Sequence, residues 1–384
     1  MTHTPRRAEI AGAGIAGLTA ACVLAHRGWQ VRIHERTSEL REMGAGIYLK
    51  LNSLLVLKEI GALDDVRRAG RRLRVGEIRN EADRVLVRRE IGEDEEAITI
   101  LRGELHRVLA ETAIRLGVQV ATHSSVKSAD PSGRLVMESG EVLEADLVIG
   151  ADGYRSGIRD SLGLTESLIP LSDGATRVLA PRIGDEREGY TAEYWAGDCR
   201  AGVVPCSRDQ LYLYLIGPED NPRARALPLD KAFWSERFPQ IAEIIQRIPP
   251  EAGRHDQLHL GKVRGWVSGR VGIIGDAAHA QPPNLGQGAG MAMANAGALG
   301  AILDREPDVP TALRVWERER RGLSEDVQMW SHRYGLVCKG AIANWHWPRT
   351  LLFMLITRLG FASRKWGYLW RGGYHAGEAS TFKS

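Results

Sequence analysis

Six residues near the start of the chain, Gly12-Ala13-Gly14-Ile15-Ala16-Gly17, constrain the fold more than any other stretch. They follow a short apolar strand pattern at Ile10 and Ala11 and precede a helical pattern from Leu18 to about Arg27, closed by Gly28. A second strand pattern, Gln30 to His34, ends at Glu35. Strand, glycine turn, helix and strand make a βαβ unit, whose helix is long enough for the right-handed crossover between parallel strands. Gly12 gives a tight turn out of the strand, Gly14 lets backbone approach a pyrophosphate, and Gly17 lets the helix pack closely on the sheet. The helix N-terminus at the turn, just after Ala16, then faces the phosphates with unpaired amides. Glu35 lies 21 residues beyond Gly14, with Arg36 beside it, where a carboxylate can accept from both ribose hydroxyls. The unit predicts dinucleotide binding, and its acid suits FAD and NAD equally.

Composition narrows the class. The 384 residues include 43 glycines, where average usage of about 7% gives about 27, and no Gly-X-Y period is present. Nearly half of the glycines fall in residues 12–46, 140–163 and 265–300. The net charge of +3 is too mild to argue for nucleic acid. Cys22, Cys199, Cys206 and Cys338 are scattered, with no C-x-x-C and no histidine at zinc spacing, so neither a metal nor a disulfide framework is expected. That cysteine usage, the polar opening residues and the lack of 18 consecutive apolar residues suggest a cytoplasmic protein.

Further along, helical patterns run from Asn52 to Ile60 and from Glu104 to Leu116, each followed by glycine. Val118 to Val120 reads as a strand, Ser139-Gly140 as a hairpin turn, and Ala145 to Gly150 as a buried strand. Between Ser172 and Gly217 the texture becomes β: Arg177 to Ala180, Tyr190 to Trp195, Gly202 to Pro205 and Leu211 to Ile216. In the last, Leu211, Leu213 and Leu215 share one face and Tyr212 and Tyr214 the other, which predicts a sheet with one aromatic face. Gly288 to Leu303 reads as a buried helix, and the remainder as helical and tryptophan-rich.

Two later segments repeat the logic of a strand ending in a turn. One is Leu147-Val148-Ile149-Gly150-Ala151-Asp152-Gly153, with Ser156 and Arg159 downstream. The other is Val271-Gly272-Ile273-Ile274-Gly275-Asp276, followed by Pro282-Pro283-Asn284-Leu285-Gly286-Gln287-Gly288. With the first motif they resemble the signature set of the FAD-dependent aromatic hydroxylases, the p-hydroxybenzoate hydroxylase-like group A flavin monooxygenases. The resemblance spans nearly residues 6 to 330. It implies non-covalent FAD held by the first motif, Asp152 serving FAD and NAD(P)H, and Gly275 and Asp276 at the ribityl chain. It also places Pro283, Gly286 and Gly288 beside the flavin ring. Arg41 and Arg102 match family arginines that contact the cofactor.

Within that family the chain most resembles the pyridine-ring hydroxylases of the hydroxypyridine-carboxylate oxygenase type. The likeness rests on Arg6 to Glu9, Gly44 to Leu49, Gly61 to Val66, and Pro205-Cys206 leading to Leu211-Tyr212-Leu213. It implies a small aromatic substrate in a pocket made by Arg200, Arg177, Tyr212 and Tyr48. The two arginines would hold a substrate carboxylate and Tyr212 a ring hydroxyl. One pocket tyrosine of that group has no counterpart near Val75, and the tail after Arg333 departs from it. The implied reaction is hydroxylation, with ring opening left open: NADH or NADPH reduces FAD, O2 adds at the flavin C4a, and the activated ring takes the distal oxygen. The rival readings are an FAD-dependent oxidase or reductase of a lipid-like or natural-product substrate, and a non-enzymatic FAD-responsive binding protein.

The fold expected is α/β: a Rossmann-like FAD-binding domain of the GR2 type interleaved with a β-sheet substrate domain and followed by a helical C-terminal region. Residues 1–170 are its first part, with an inserted substrate-side segment at about 71–100; 171–265 are the substrate sheet, 266–325 the second part and 326–384 the helical region. His279 reads as structural, and the arginine run from Arg67 to Arg74 as a solvated helix end. Trp345, Trp347 and Leu351 to Ile356, with Arg349 and Arg358, could touch a membrane surface. A packed helical layer or a homodimer interface is the preferred expectation for them.

Overall fold

The computed structural model describes residues 5–40, 45–92 and 95–338. The α/β architecture is as expected, built on two main sheets. A six-stranded sheet runs in the order Val267–Ser268, Val271–Ile273, Leu147–Gly150, Arg7–Ala11, Gln30–His34, Gln119–Ala121. All neighbours are parallel except the first pair. Register decides where a ligand can go. Ala11 lies opposite both Gly150 and His34, and Gly150 lies opposite Ile273. The carboxyl ends of four strands are therefore level, and the glycine loop, Glu35, Asp152 and Gly275 all leave from one edge. That edge is where open α/β sheets bind ligands.

The helix Ile15–His26 starts three residues earlier than the pattern suggested, with Gly14 as its cap and the Gly14 carbonyl accepting from the Leu18 amide. It packs on the helices Arg102–Arg115 and Gly288–Arg305. Its approach to the second is set by Gly300, where a Cβ would stand 2.5 Å from Val23 Cγ1. The strands Arg134–Met137 and Val142–Glu144 form the hairpin expected around Ser139-Gly140.

The second sheet has seven strands in the order Arg254–Val263, Thr165–Pro181, Gln210–Pro218, Cys199–Pro205, Tyr190–Ala196, Val75–Arg79, Val85–Glu90. Leu211, Leu213 and Leu215 bury one face against Phe233, Trp234, Ile244 and Ile245 of two short helices. Tyr212 and Tyr214 stand on the opposite face, as the alternation required. Residues 75–90 add its last two strands. The boundary drawn at 170/171 falls inside one continuous strand, Thr165–Pro181, which bends at irregularities between Thr165 and Ser167 and between Pro170 and Gly174. The boundary at 325/326 likewise falls inside the helix Val309–Cys338. A small sheet of Gly46–Leu49, Ile98–Leu101 and Arg71–Arg72 carries Tyr48 between the two large ones. No helix among the described residues is long and apolar enough to cross a membrane. The tryptophan-rich tail lies outside the described residues.

Candidate active site

A single cavity of about 1660 Å³ runs from the level strand ends to the aromatic face of the seven-stranded sheet. At its first end Gly12, Gly14, Ala16, Glu35, Arg36, Asp152, Gly275 and Asp276 line the wall. Backbone approach there leaves no room for side chains. Gly12 has φ +96°, and a Cβ on it would meet the Ala151 carbonyl at 2.5 Å. A Cβ on Gly17, which stands behind the wall, would collide with the Gly12 carbonyl. The Glu35 carboxylate is held beside the loop by the Ala13 amide, which donates at 3.1 Å, and by the Thr37 amide at 3.0 Å. His106 braces the same loop through the Ala13 carbonyl at 2.8 Å.

These features fit FAD. Asp152 Oδ1 is buried with no hydrogen-bond partner among the described residues, although its Oδ2 accepts from the Ile158 amide at 3.2 Å. A buried carboxylate oxygen without a donor is costly, and a ligand hydroxyl reaching the cavity would satisfy it. Pro283, Gly286 and Gly288 line the cavity, and the 18-residue helix Gly288–Arg305 begins there, with Gly288 and Ala289 on the wall. Arg102 lines the same region at the start of its own helix. Arg41 lies outside the described residues.

At the second end Tyr48, Thr191, Glu193, Tyr212, Tyr214 and Tyr334 converge. Glu193 is 8% exposed. Its carboxylate accepts from the Tyr214 hydroxyl at 2.7 Å, the Tyr334 hydroxyl at 2.7 Å and the Trp195 indole at 2.6 Å. Burial, reinforced by the Glu193 charge, holds the phenols of Tyr214 and Tyr334 well above their ordinary range. Burial pushes Tyr212 up to about 12, against the opposing charges of Arg177 and Arg102. Ile78, Val87 and Leu285 supply apolar wall beside these rings.

The structure does not bring together at the cavity wall the two arginines expected to hold a carboxylate. Arg200 is 3% exposed and is not among the residues lining the cavity. Tyr334 stands over its guanidinium with the ring centre at 5.5 Å, because the helix Val309–Cys338 crosses that part of the sheet. Its Nη2 donates to Asn284 Oδ1 at 2.6 Å, while Nη1 has no hydrogen bond and lies 3.7 Å from Glu193. Asn284 in turn donates to the Ser331 carbonyl at 2.7 Å, so Arg200 ties the sheet to the loop of Pro283 and Gly286. Arg177 does line the cavity, and Asp256 accepts from it at 2.8 Å. His279 is buried, bonded to Asn295 at 3.3 Å and packed on Trp266, which is a structural setting.

Sequence reasoning missed Glu193, Thr191, Tyr334 and Lys50. A lone acid inside the apolar run Thr191-Ala192-Glu193-Tyr194-Trp195 was the available signal, since a buried charge must be partnered. Lys50 lines the cavity and donates to the Leu285 carbonyl at 2.9 Å; burial, helped by the Arg89 charge, lowers its pKa to about 7.

The family profile described as FAD binding domain matches residues 7–331. The chain is an FAD-dependent aromatic monooxygenase. This monooxygenase is 37% identical over 341 residues to the 2-heptyl-3-hydroxy-4(1H)-quinolone synthase of Mycobacteroides abscessus, covering 86% of this chain and 90% of that one. The aurachin C monooxygenase/isomerase of Stigmatella aurantiaca is 31% identical over 379 residues, 93% of this chain and 96% of the relative. Among solved structures, 2-methyl-3-hydroxypyridine-5-carboxylic acid oxygenase superposes with a TM-score of 0.83 at 37% identity, over 91% of this chain and 96% of that one, and it has a tetrameric form. The cofactor of the monooxygenase is FAD, with NAD(P)H and O2 as the co-substrates typical of its class.

Proposed function

We propose that this monooxygenase hydroxylates an electron-rich N-heteroaromatic ring of the 4(1H)-quinolone type at the expense of NAD(P)H. The observation that carries this reading is the continuity of the cavity. One end is a backbone cradle with a waiting carboxylate, and the other is a tyrosine-lined, largely apolar chamber in which the arginines expected to hold a carboxylate already have acidic or amide partners. A neutral bicyclic ring suits that chamber better than a pyridine carboxylate. The quinolone synthase among the relatives supports the same substrate class.

In this reading Gly12, Gly14, Ala16, Gly17, Glu35 and Arg36 hold the ADP half of FAD, and Asp152, Gly275 and Asp276 hold its middle. Arg102, Pro283, Gly286 and Gly288 flank the ring. Bound FAD supplies the activation of oxygen. The protein contributes position and dryness: Tyr212 and Tyr48 orient the substrate ring, and Ile78, Val87 and Tyr334 exclude water from it. Arg177 steadies Tyr212, and Arg200 fixes the loop carrying Asn284. A homo-oligomer is consistent with the tetrameric pyridine oxygenase. The test is NAD(P)H oxidation by the FAD-loaded protein across 2-alkyl-4(1H)-quinolones, hydroxypyridine carboxylates and hydroxybenzoates. The quinolones are expected to stimulate most; selective stimulation by the carboxylates would overturn the reading.

A further inference from the structure

The directions of the hydrogen bonds on the aromatic face select among ring substrates. A tyrosine hydroxyl has one proton, and the atom that takes it decides what the oxygen can still do. Tyr214 gives its proton to Glu193 Oε2 at 2.7 Å. Thr191 gives its own to the Val203 carbonyl at 3.1 Å, so in the 3.0 Å contact between Tyr48 and Thr191 it is Tyr48 that donates. Both cavity-lining phenols are thereby left with lone pairs only toward the chamber. Tyr212, packed with them and 5.8 Å from the Tyr214 ring, accepts from the Arg177 guanidinium, and no acceptor among the described residues takes its proton. It is the phenol with a proton to offer. Among the cations nearby, Arg177 and Arg254 pair with Asp256, Arg89 with Glu95, Lys50 with the Leu285 carbonyl, and Arg200 with Asn284 and, at 3.7 Å, with Glu193 itself, while the Arg102 charge acts on Tyr212.

We propose that Glu193 is a specificity-determining positioning residue. By fixing the Tyr214 proton, with Thr191 doing the same for Tyr48, it makes this wall an acceptor surface that admits rings bearing an N–H or O–H donor and rejects isosteres without one. This rests on the reading of the enzyme as a ring hydroxylase and adds what its pocket discriminates. A 4(1H)-quinolone meets the requirement, with its N–H for the acceptors and its carbonyl for Tyr212. A carboxylate does not, because on this wall it brings lone pairs to lone pairs.

The discriminating pair is 2-heptyl-4(1H)-quinolone and 2-heptylchromone, in which a ring oxygen replaces the N–H at nearly equal size. Their Kd values are measured by titration calorimetry on the FAD-loaded wild type and on Glu193→Gln, with flavin absorbance confirming that the cofactor is retained. The wild type is expected to prefer the quinolone by about 100-fold or more, since a site built to pair a donor rejects the analogue lacking it. In Glu193→Gln the amide N–H occupies one of the tyrosine oxygens and turns that O–H toward the chamber, and the preference is expected to fall to about tenfold or below. A residue that only supported the fold would weaken both ligands together and leave the ratio intact. Should Glu193→Gln not fold, Tyr214→Phe removes one acceptor and is expected to shrink the ratio in the same sense. Equal affinities in the wild type, or a ratio unchanged in the variants, overturn the proposal while leaving a quinolone substrate standing. If neither compound binds, the quinolone reading fails, and 3-hydroxypyridine against 3-methoxypyridine tests the wall: a hydroxyl preference upholds it, and no preference overturns it.

Discussion

Replacing Gly202 with alanine tests the geometry of the aromatic face directly. A Cβ on Gly202 would fall inside the Tyr214 ring, overlapping its Cζ, Cε1 and hydroxyl oxygen. Ordinary contact begins near 3.4 Å, so the ring must retreat by at least about 1 Å. That takes the Tyr214 hydroxyl from 2.7 Å to beyond hydrogen-bonding range of Glu193. Losing a hydrogen bond to a buried carboxylate costs about 1.5–3 kcal/mol, and the displaced ring narrows the chamber besides. The expected outcome for Gly202→Ala is a thermal midpoint lower by about 2–4 °C, full retention of FAD, and at least about tenfold weaker binding of the ring substrate. Scanning calorimetry and substrate titration read the two effects separately. A variant with wild-type stability and wild-type substrate affinity would refute the placement of Tyr214 over Gly202.

Two further outcomes follow from the cofactor end and the middle of the cavity. Asp152→Ala is expected to weaken FAD binding about 10- to 100-fold in a fluorescence titration, because Oδ1 is the buried acceptor waiting for a ligand hydroxyl; unchanged affinity would count against that role. Lys50 titrates near 7 in the folded protein and at 10.5 when unfolded, so the folded chain binds its proton less tightly and carries the full penalty at pH 7 and below. In the flavin-free protein Lys50→Met should then be the more stable form at pH 6–7, by at most about 5 kcal/mol, and its advantage should fade as pH rises from 7 toward 10.5. An advantage independent of pH would show that burial of the ammonium is not its cause.

The cofactor end was legible because its demands are local. Gly12 and Gly17 must be glycine for reasons of backbone approach, and Glu35 follows at a distance set by one helix and one strand, so the pattern survives in one dimension. The aromatic face of the second sheet was also legible, since Tyr212 and Tyr214 alternate with leucines at the strand period. What the tyrosines touch was not. Glu193 comes from the next strand but one, Thr191 from the same strand as Glu193, and Tyr334 from a helix more than a hundred residues later. Their meeting is a property of sheet order and helix crossing, which spacing does not encode. Arg200 shows the same limit from the other side. Its residue type and strand suggested a carboxylate clamp, but the helix laid over it turned the guanidinium into a strut for Asn284.

Supplying 18O2 and NADH or NADPH to the FAD-loaded protein with 2-heptyl-4(1H)-quinolone, and weighing the product, tests the central claim most directly. The account predicts one labelled oxygen in the ring product and consumption of NAD(P)H that depends on the quinolone. Reduced cofactor consumed at the same rate with and without the quinolone, and an unlabelled ring, would contradict it.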